Sequence, residues 1–197
     1  MTSKCTNAKY YLGGYLKMAK ILVVVDMQND FVTGALRNES AIEIVPNVVN
    51  EVDGALAQGK IVIFTRDTHG NASEYMATEE GKNLPVPHCE EDTEGWKVIP
   101  ELEGFRKTEG VHTVNKDTFG SVGLGDLLGR ISVAENIEEI EFIGVCTDIC
   151  VISNALLAKA YLPNVPITVK ADCCAGVTPA SHSNALAAMT ACQIKVI

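Results

Sequence analysis

No apolar run in this sequence approaches the roughly 18 residues that a membrane span requires, so no transmembrane helix is expected. Positive charge is scarce: 16 Lys and Arg stand against 25 Asp and Glu, for a net charge of -9. That balance excludes nucleic acid and anionic membrane surfaces as principal partners. The seven cysteines form an odd set without the spacing of a disulfide framework or the paired C-x-x-C of a zinc knuckle. A reducing, cytoplasmic location is expected. The N-terminal stretch MTSKCTNAKYYLGGYLK lacks a continuous apolar core and a small-residue cleavage site, and does not read as a signal peptide. Internal repeats and low-complexity tracts are also missing. A chain of 197 residues is enough for one domain with a core that needs no staples. Residues 1–17 are expected to be an N-terminal extension to a domain covering 18–197.

The chain does hold a regular succession of short apolar runs and helical patterns. Ile21–Val25 is apolar and mostly β-branched at every position, as a strand covered on both faces should be, and it ends in Asp26. Apolar residues at 45, 48, 49, 52, 55 and 56 repeat with helical spacing over Ile44–Gln58, and Gly59 supplies a stop. Ile61–Thr65 is a second buried strand, so the two make a βαβ unit. Val111–Val114, the apolar run around Phe142, Pro166–Lys170 and Ile194–Ile197 complete six strands. A helix capped by Thr178 and opened by Pro179 precedes the last. The expected fold is a three-layer α/β sandwich with a six-stranded, mostly parallel sheet and helices on both faces.

Chemistry-bearing residues collect at the ends of these strands, where open α/β sheets bind ligands. The stretch Glu141–Ile152 reads as a strand, a sharp turn at Gly144 and a helix whose first turn carries Cys150. There, free backbone N–H groups and the positive end of the helix dipole favour a thiolate and can hold an oxyanion. Lys116 and Asp26 sit at two other strand ends. A thiol, a proton acceptor and an orienting positive charge are what nucleophilic catalysis needs. Residues 66–100 show no clear periodicity, which in a compact domain marks a functional loop. Within them Asp67 and His69 alternate onto one side of an extended segment, and His88 follows in Pro-Val-Pro-His. Together they offer an N/N/O ligand set with open positions.

The motifs VVVDMQNDF (23–31), TRDTH (65–69), PHC (87–89), NKDTFGS (115–121) and GVCTDICV (144–151) stand in an order that resembles the isochorismatase-like cysteine hydrolases, and among them the nicotinamidases. The resemblance implies a catalytic triad of Asp26 as acid/base, Lys116, and Cys150 as nucleophile. It implies a cis peptide bond between Val145 and Cys146, which would aim the N–H groups of Cys146 and Cys150 at the substrate oxyanion. Asp67, His69 and His88 would hold a divalent metal, zinc or a related ion, and Phe31 would wall the substrate pocket. The chain departs from the nicotinamidase pattern at Tyr75, where many members have a further histidine, and at Pro85, where an aromatic residue is common. The expected activity is hydrolysis of nicotinamide or a similar small carboxamide to the acid and ammonia through a thioester. The alternative is another small amide or N-carbamoyl or ureido compound handled by the same triad. A homo-oligomer acting on a small molecule is expected.

Overall fold

The computed structural model describes residues 18–197, so the expected extension over residues 1–17 lies outside the described residues. Strands β1 (Met18–Val25), β2 (Ile61–Asp67), β3 (His112–Lys116), β4 (Asn136–Val145), β5 (Ile167–Ala175) and β6 (Lys195–Val196) form one sheet in the order β3-β2-β1-β4-β5-β6. Every pairing between these strands is parallel. The chain therefore runs outward in one direction from β1 to β3, and in the other from β4 to β6. The reversal of strand order falls between β1 and β4, and ligand crevices of open parallel sheets form at such points.

Among the described residues the α-helices are α1 (Asn29–Val32), α2 (Glu39–Ala57), α3 (Ala72–Ala77), α4 (Glu79–Asn83), α5 (Pro100–Arg106), α6 (Val122–Ala134), α7 (Ile152–Tyr161) and α8 (Pro179–Ala191). Alternation along the strands divides the core in two. Leu22, Val24, Phe64, Ile143 and Val145 face α2 and α5, whereas Ile21, Val23, Ile63, Phe142 and Val169 face α6, α7 and α8. Because both faces are covered, the central strands read as unbroken apolar runs. Among the described residues no helix is long and apolar enough to cross a membrane.

Local differences from the sequence expectation have identifiable causes. α2 begins at Glu39, well before Ile44, because the Asn38 side chain caps the N–H groups of Ser40 and Ala41 ahead of the first apolar position. β5 continues through Ala175, past Lys170: after a register shift between Phe142 and Gly144, Cys174 and Ala175 rejoin the ladder opposite Gly144 and Val145, so this stretch is strand and not crevice loop. The irregular stretch after β2 contains the short helices α3 and α4.

Candidate active site

Asp26 follows directly on β1, Lys116 ends β3, and the segment from Cys146 to Cys150 follows directly on β4. The sheet brings these three strand ends to one edge. Gly144 makes the close approach of β1 and β4 feasible: its φ is +113°, and a Cβ there would lie 2.1 Å from the Val25 carbonyl oxygen. The Val145–Cys146 peptide bond is cis, as the motif resemblance implies. Beyond it, Thr147–Val151 forms a π-helical turn leading into α7. Cys150 therefore sits in a widened turn before the regular helix, and not in the first turn of an α-helix. Asn154 locks that turn to the loop after β3: its amide donates to the carbonyl oxygens of Cys150 (2.8 Å) and Phe119 (3.0 Å) and accepts from the Ser121 N–H (2.9 Å).

At the centre, Lys116 Nζ lies 2.7 Å from Asp26 Oδ2, donates to Asp67 Oδ1 at 3.0 Å, and is 3.5 Å from Cys150 Sγ. Asp26, Lys116 and Cys150 are all buried. Burial would lower the Lys116 pKa, but Asp26, Cys150 and Asp67 around it outweigh that cost and hold it well above the usual lysine value. Cys150 departs from the expectation of a thiolate. Burial and the Asp26 charge push its thiol well above the ordinary value, and Lys116 opposes them only in part. An upward-shifted thiol calls for a base in contact to take its proton when it reacts.

Asp26 is held by Thr65, which sequence reasoning passed over as one more strand residue. The Thr65 hydroxyl donates to Asp26 Oδ1 at 2.7 Å, and its oxygen accepts from the Asp26 N–H at 3.3 Å. This support lies at a backbone position with φ of +47°, uncommon for a residue with a side chain. Gln28, also unforeseen, uses both ends of its amide: it accepts from the Asp67 N–H (2.7 Å) and donates to the carbonyl oxygens of Asp67 and Trp96 (2.8 Å each). Asp30 accepts from the Cys89 N–H at 2.7 Å and so ties the end of β1 to the segment carrying His88. The spacing Gln28-x-Asp30 after a strand was the one available signal for these two roles.

Beside the triad the structure assembles a donor cluster. Asp67 Oδ2 lies 3.0 Å from His69 Nε2 and 3.4 Å from His88 Nε2. Glu80 on α4, absent from the sequence-based set, brings Oε1 to 3.9 and 3.8 Å from the same two nitrogens. The ligand atoms of Asp67, His69, Glu80 and His88 all lie within 4.8 Å of one another, a spacing suited to one shared ion. His88 Nδ1 is hydrogen bonded to the Val86 carbonyl (2.8 Å), which leaves Nε2 directed into the cluster. Burial and the Asp67 charge raise the Glu80 pKa, as expected for two carboxylates sharing a site that a divalent cation would relieve. The residues present therefore fit a metal, with four donors where the sequence suggested three. Tyr75 is not one of them: it is buried, and its hydroxyl donates to the Leu84 carbonyl at 2.8 Å.

Both clusters open on a cavity of about 830 Å3, whose lining includes Phe31, Asp67, Glu80, His88, Cys146 and Cys150. The Phe31 ring lines this cavity and meets His88 edge-on at 5.5 Å between centroids. A parallel α/β sheet with a thiol, a carboxylate and an ammonium group converging at its switch point defines the class of this protein as a hydrolase. More narrowly, the chain belongs to the isochorismatase family, whose isochorismatase domain matches residues 20–197. It is 28% identical over 207 aligned residues to the nicotinamidase of Schizosaccharomyces pombe, an alignment covering 89% of this chain and 91% of that one. The crystal structure of nicotinamidase PncA from Bacillus subtilis superposes with a TM-score of 0.77 at 26% identity, covering 91% of this chain and 99% of that one. Pyrazinamidase of Pyrococcus horikoshii in complex with zinc shares the fold, with a TM-score of 0.75 at 24% identity over 90% of this chain and 98% of the other.

Proposed function

We propose that this protein is a cysteine-dependent amidase of the nicotinamidase type, which hydrolyses a small carboxamide to the carboxylic acid and ammonia. The observation that carries this reading is the contact of the buried Cys150 thiol with a buried Asp–Lys pair. Relatives named as nicotinamidases, similar along nearly their whole length, support the same reaction class.

In this reading Asp26 takes the proton of Cys150 as the sulfur attacks the amide carbonyl. Lys116 holds Asp26 ionised before the transfer and stabilises the sulfur as negative charge develops on it. The N–H groups of Cys146 and Cys150 receive the tetrahedral oxyanion. Asp26 then returns its proton to the leaving nitrogen, the C–N bond breaks, and ammonia departs from a thioester at Cys150. Water, deprotonated by Asp26, attacks the thioester; the acid leaves and the sulfur recovers a proton. Phe31 packs against the planar acyl group.

Asp67, His69, Glu80 and His88 would hold one divalent ion; two imidazoles and two carboxylates suit zinc and also harder first-row ions. When bound, the ion supplies an electrophilic anchor for a ring nitrogen of the substrate. The chain's own contribution there is to fix the donors: Gln28 clamps the Asp67 backbone and the Val86 carbonyl sets the His88 ring.

The test is ammonia release from nicotinamide, pyrazinamide and a panel of ureido and N-carbamoyl compounds, together with metal analysis of protein purified without chelator. Turnover of the pyridine or pyrazine carboxamide, lost by several powers of ten in Cys150→Ala with the fold retained, is expected. Residual turnover within tenfold of wild type in that variant would refute Cys150 as nucleophile. Turnover of ureido compounds alone would move the substrate to that class. One ion per chain is expected, and His69→Ala should reduce it; equal content in both would remove the metal role.

A further inference from the structure

Tyr75 stands where the nicotinamidase pattern places a histidine, and its surroundings are unlike those of a filler residue. Its ring meets His69 edge-on at 4.8 Å and His88 edge-on at 5.1 Å between centroids, while the two imidazoles meet each other at 4.9 Å. The three rings thus pack as a closed edge-to-face triangle, which restricts the rotation of both imidazoles. The Tyr75 hydroxyl donates to the Leu84 carbonyl at 2.8 Å, closing the stretch from 75 to 84 that contains Glu80. The backbone of Tyr75 works on the same stretch. Its carbonyl oxygen accepts from the Thr78 N–H (2.9 Å) and hydroxyl (2.7 Å), and the Thr78 oxygen in turn caps the Gly81 N–H (3.0 Å). At Gly81 the helix α4 comes so close that a Cβ would lie 2.2 Å from the Tyr75 carbonyl oxygen.

We propose that Tyr75 is a positioning residue for the metal donors: its ring sets the two imidazoles, and its hydroxyl latch on Leu84 presents Glu80. The proposal rests on the reading of Asp67, His69, Glu80 and His88 as a metal site. It assigns to one side chain the orientation of three of those four donors. Tyr75 thus supports the donors without joining them, and the fourth donor comes from the next helix.

The experiment compares Zn2+ affinity, measured by competition with a chromophoric chelator, and the visible spectrum of the Co2+ form, in wild type, Tyr75→Phe, Tyr75→Leu, Glu80→Gln and the Tyr75→Phe/Glu80→Gln double variant. Tyr75→Phe keeps the ring and loses the latch; Zn2+ binding should weaken about two- to tenfold, the range of one neutral hydrogen bond. That loss should vanish in the Glu80→Gln background, because the latch acts through Glu80. Tyr75→Leu also removes the ring, and should weaken binding about 10- to 100-fold, as loss of an outer supporting group does, with an altered Co2+ spectrum. Wild-type affinity and superimposable Co2+ spectra in both Tyr75 variants would overturn the proposal while leaving the metal site intact. An undiminished Tyr75→Phe effect in the Glu80→Gln background would overturn the route through Glu80. If Tyr75→Leu fails to fold by circular dichroism, Tyr75→Phe and the double variant decide alone. A wild-type protein that binds neither ion would overturn the metal reading and this proposal with it.

Discussion

Replacing Thr65 by Val keeps the shape of a fully buried strand residue and removes only the hydroxyl. Two buried groups lose a partner: Asp26 Oδ1, which accepts the hydroxyl proton at 2.7 Å, and the Asp26 N–H, which donates to its oxygen at 3.3 Å. The first is a hydrogen bond to a carboxylate, worth about 1.5–3 kcal/mol; the second is long and adds less. If that support is needed to hold Asp26 toward Cys150 in the transition state, kcat should fall about 10- to 100-fold, since each 1.36 kcal/mol is a factor of ten. The pH dependence has a defined sign. Asp26 has a folded pKa raised from 3.8, by burial first and Asp67 second, with Lys116 and Thr65 opposing. A raised carboxyl contributes stability below its unfolded pKa that is lost as pH rises through the folded value, so ionised Asp26 is a cost at neutral pH that Thr65 reduces. Thr65→Val raises this pKa further. Its destabilisation should therefore be larger at neutral pH than below pH 3.8, and the acid limb of kcat/KM should move upward. Steady-state ammonia release across pH and urea melts at two pH values measure both, with Thr65→Ser as the control that restores the hydroxyl. A Thr65→Val enzyme within twofold of wild-type kcat and with an unmoved acid limb would refute the reasoning.

Lys116→Met leaves Asp26 and Asp67 facing each other in the interior without their shared cation, and should cost about 3–5 kcal/mol of stability, as removal of one member of a buried ion pair does. It also removes the charge that opposes the upward shift of the Cys150 thiol, so alkylation of Cys150 should slow at every pH below the new thiol value; an unchanged rate-against-pH profile would contradict this. Away from the site, Glu141 bonds Lys60 and lies 3.2 Å from Lys170, and these contacts outweigh burial to hold its pKa below 4.5. A lowered carboxyl pKa contributes stability that is lost as pH falls through the folded value. Glu141→Gln should thus be less stable than wild type by about 1–3 kcal/mol at neutral pH, with the gap closing below pH 4.5; a gap independent of pH would show that the charge on Glu141 does not matter.

The sequence by itself determined the elements that local pattern controls. Ile21–Val25 and Ile61–Thr65 could only be doubly covered strands, Thr178-Pro179 could only open a helix, and Gly59, with φ of +70°, ends one. Because strand ends gather at one edge of a parallel sheet, Asp26, Lys116 and Cys150 were already legible as neighbours before any distance was known. Asp67-x-His69 was legible for the same reason, as two side chains on one side of an extended segment. What only the tertiary structure decided depends on groups far apart in the chain or on removal of water. Glu80 lies on α4, beyond the short helix α3, and neither helix has apolar periodicity, so nothing local aims its carboxylate at the cluster. Thr65, Gln28 and Tyr75 look like ordinary strand, turn and loop residues until the contacts to Asp26, Asp67 and the two imidazoles are in place. The upward shift of the Cys150 thiol runs against the sequence expectation. A helix start and a nearby lysine are local features that favour a thiolate, but burial under the whole domain and the facing Asp26 charge are not local, and they prevail.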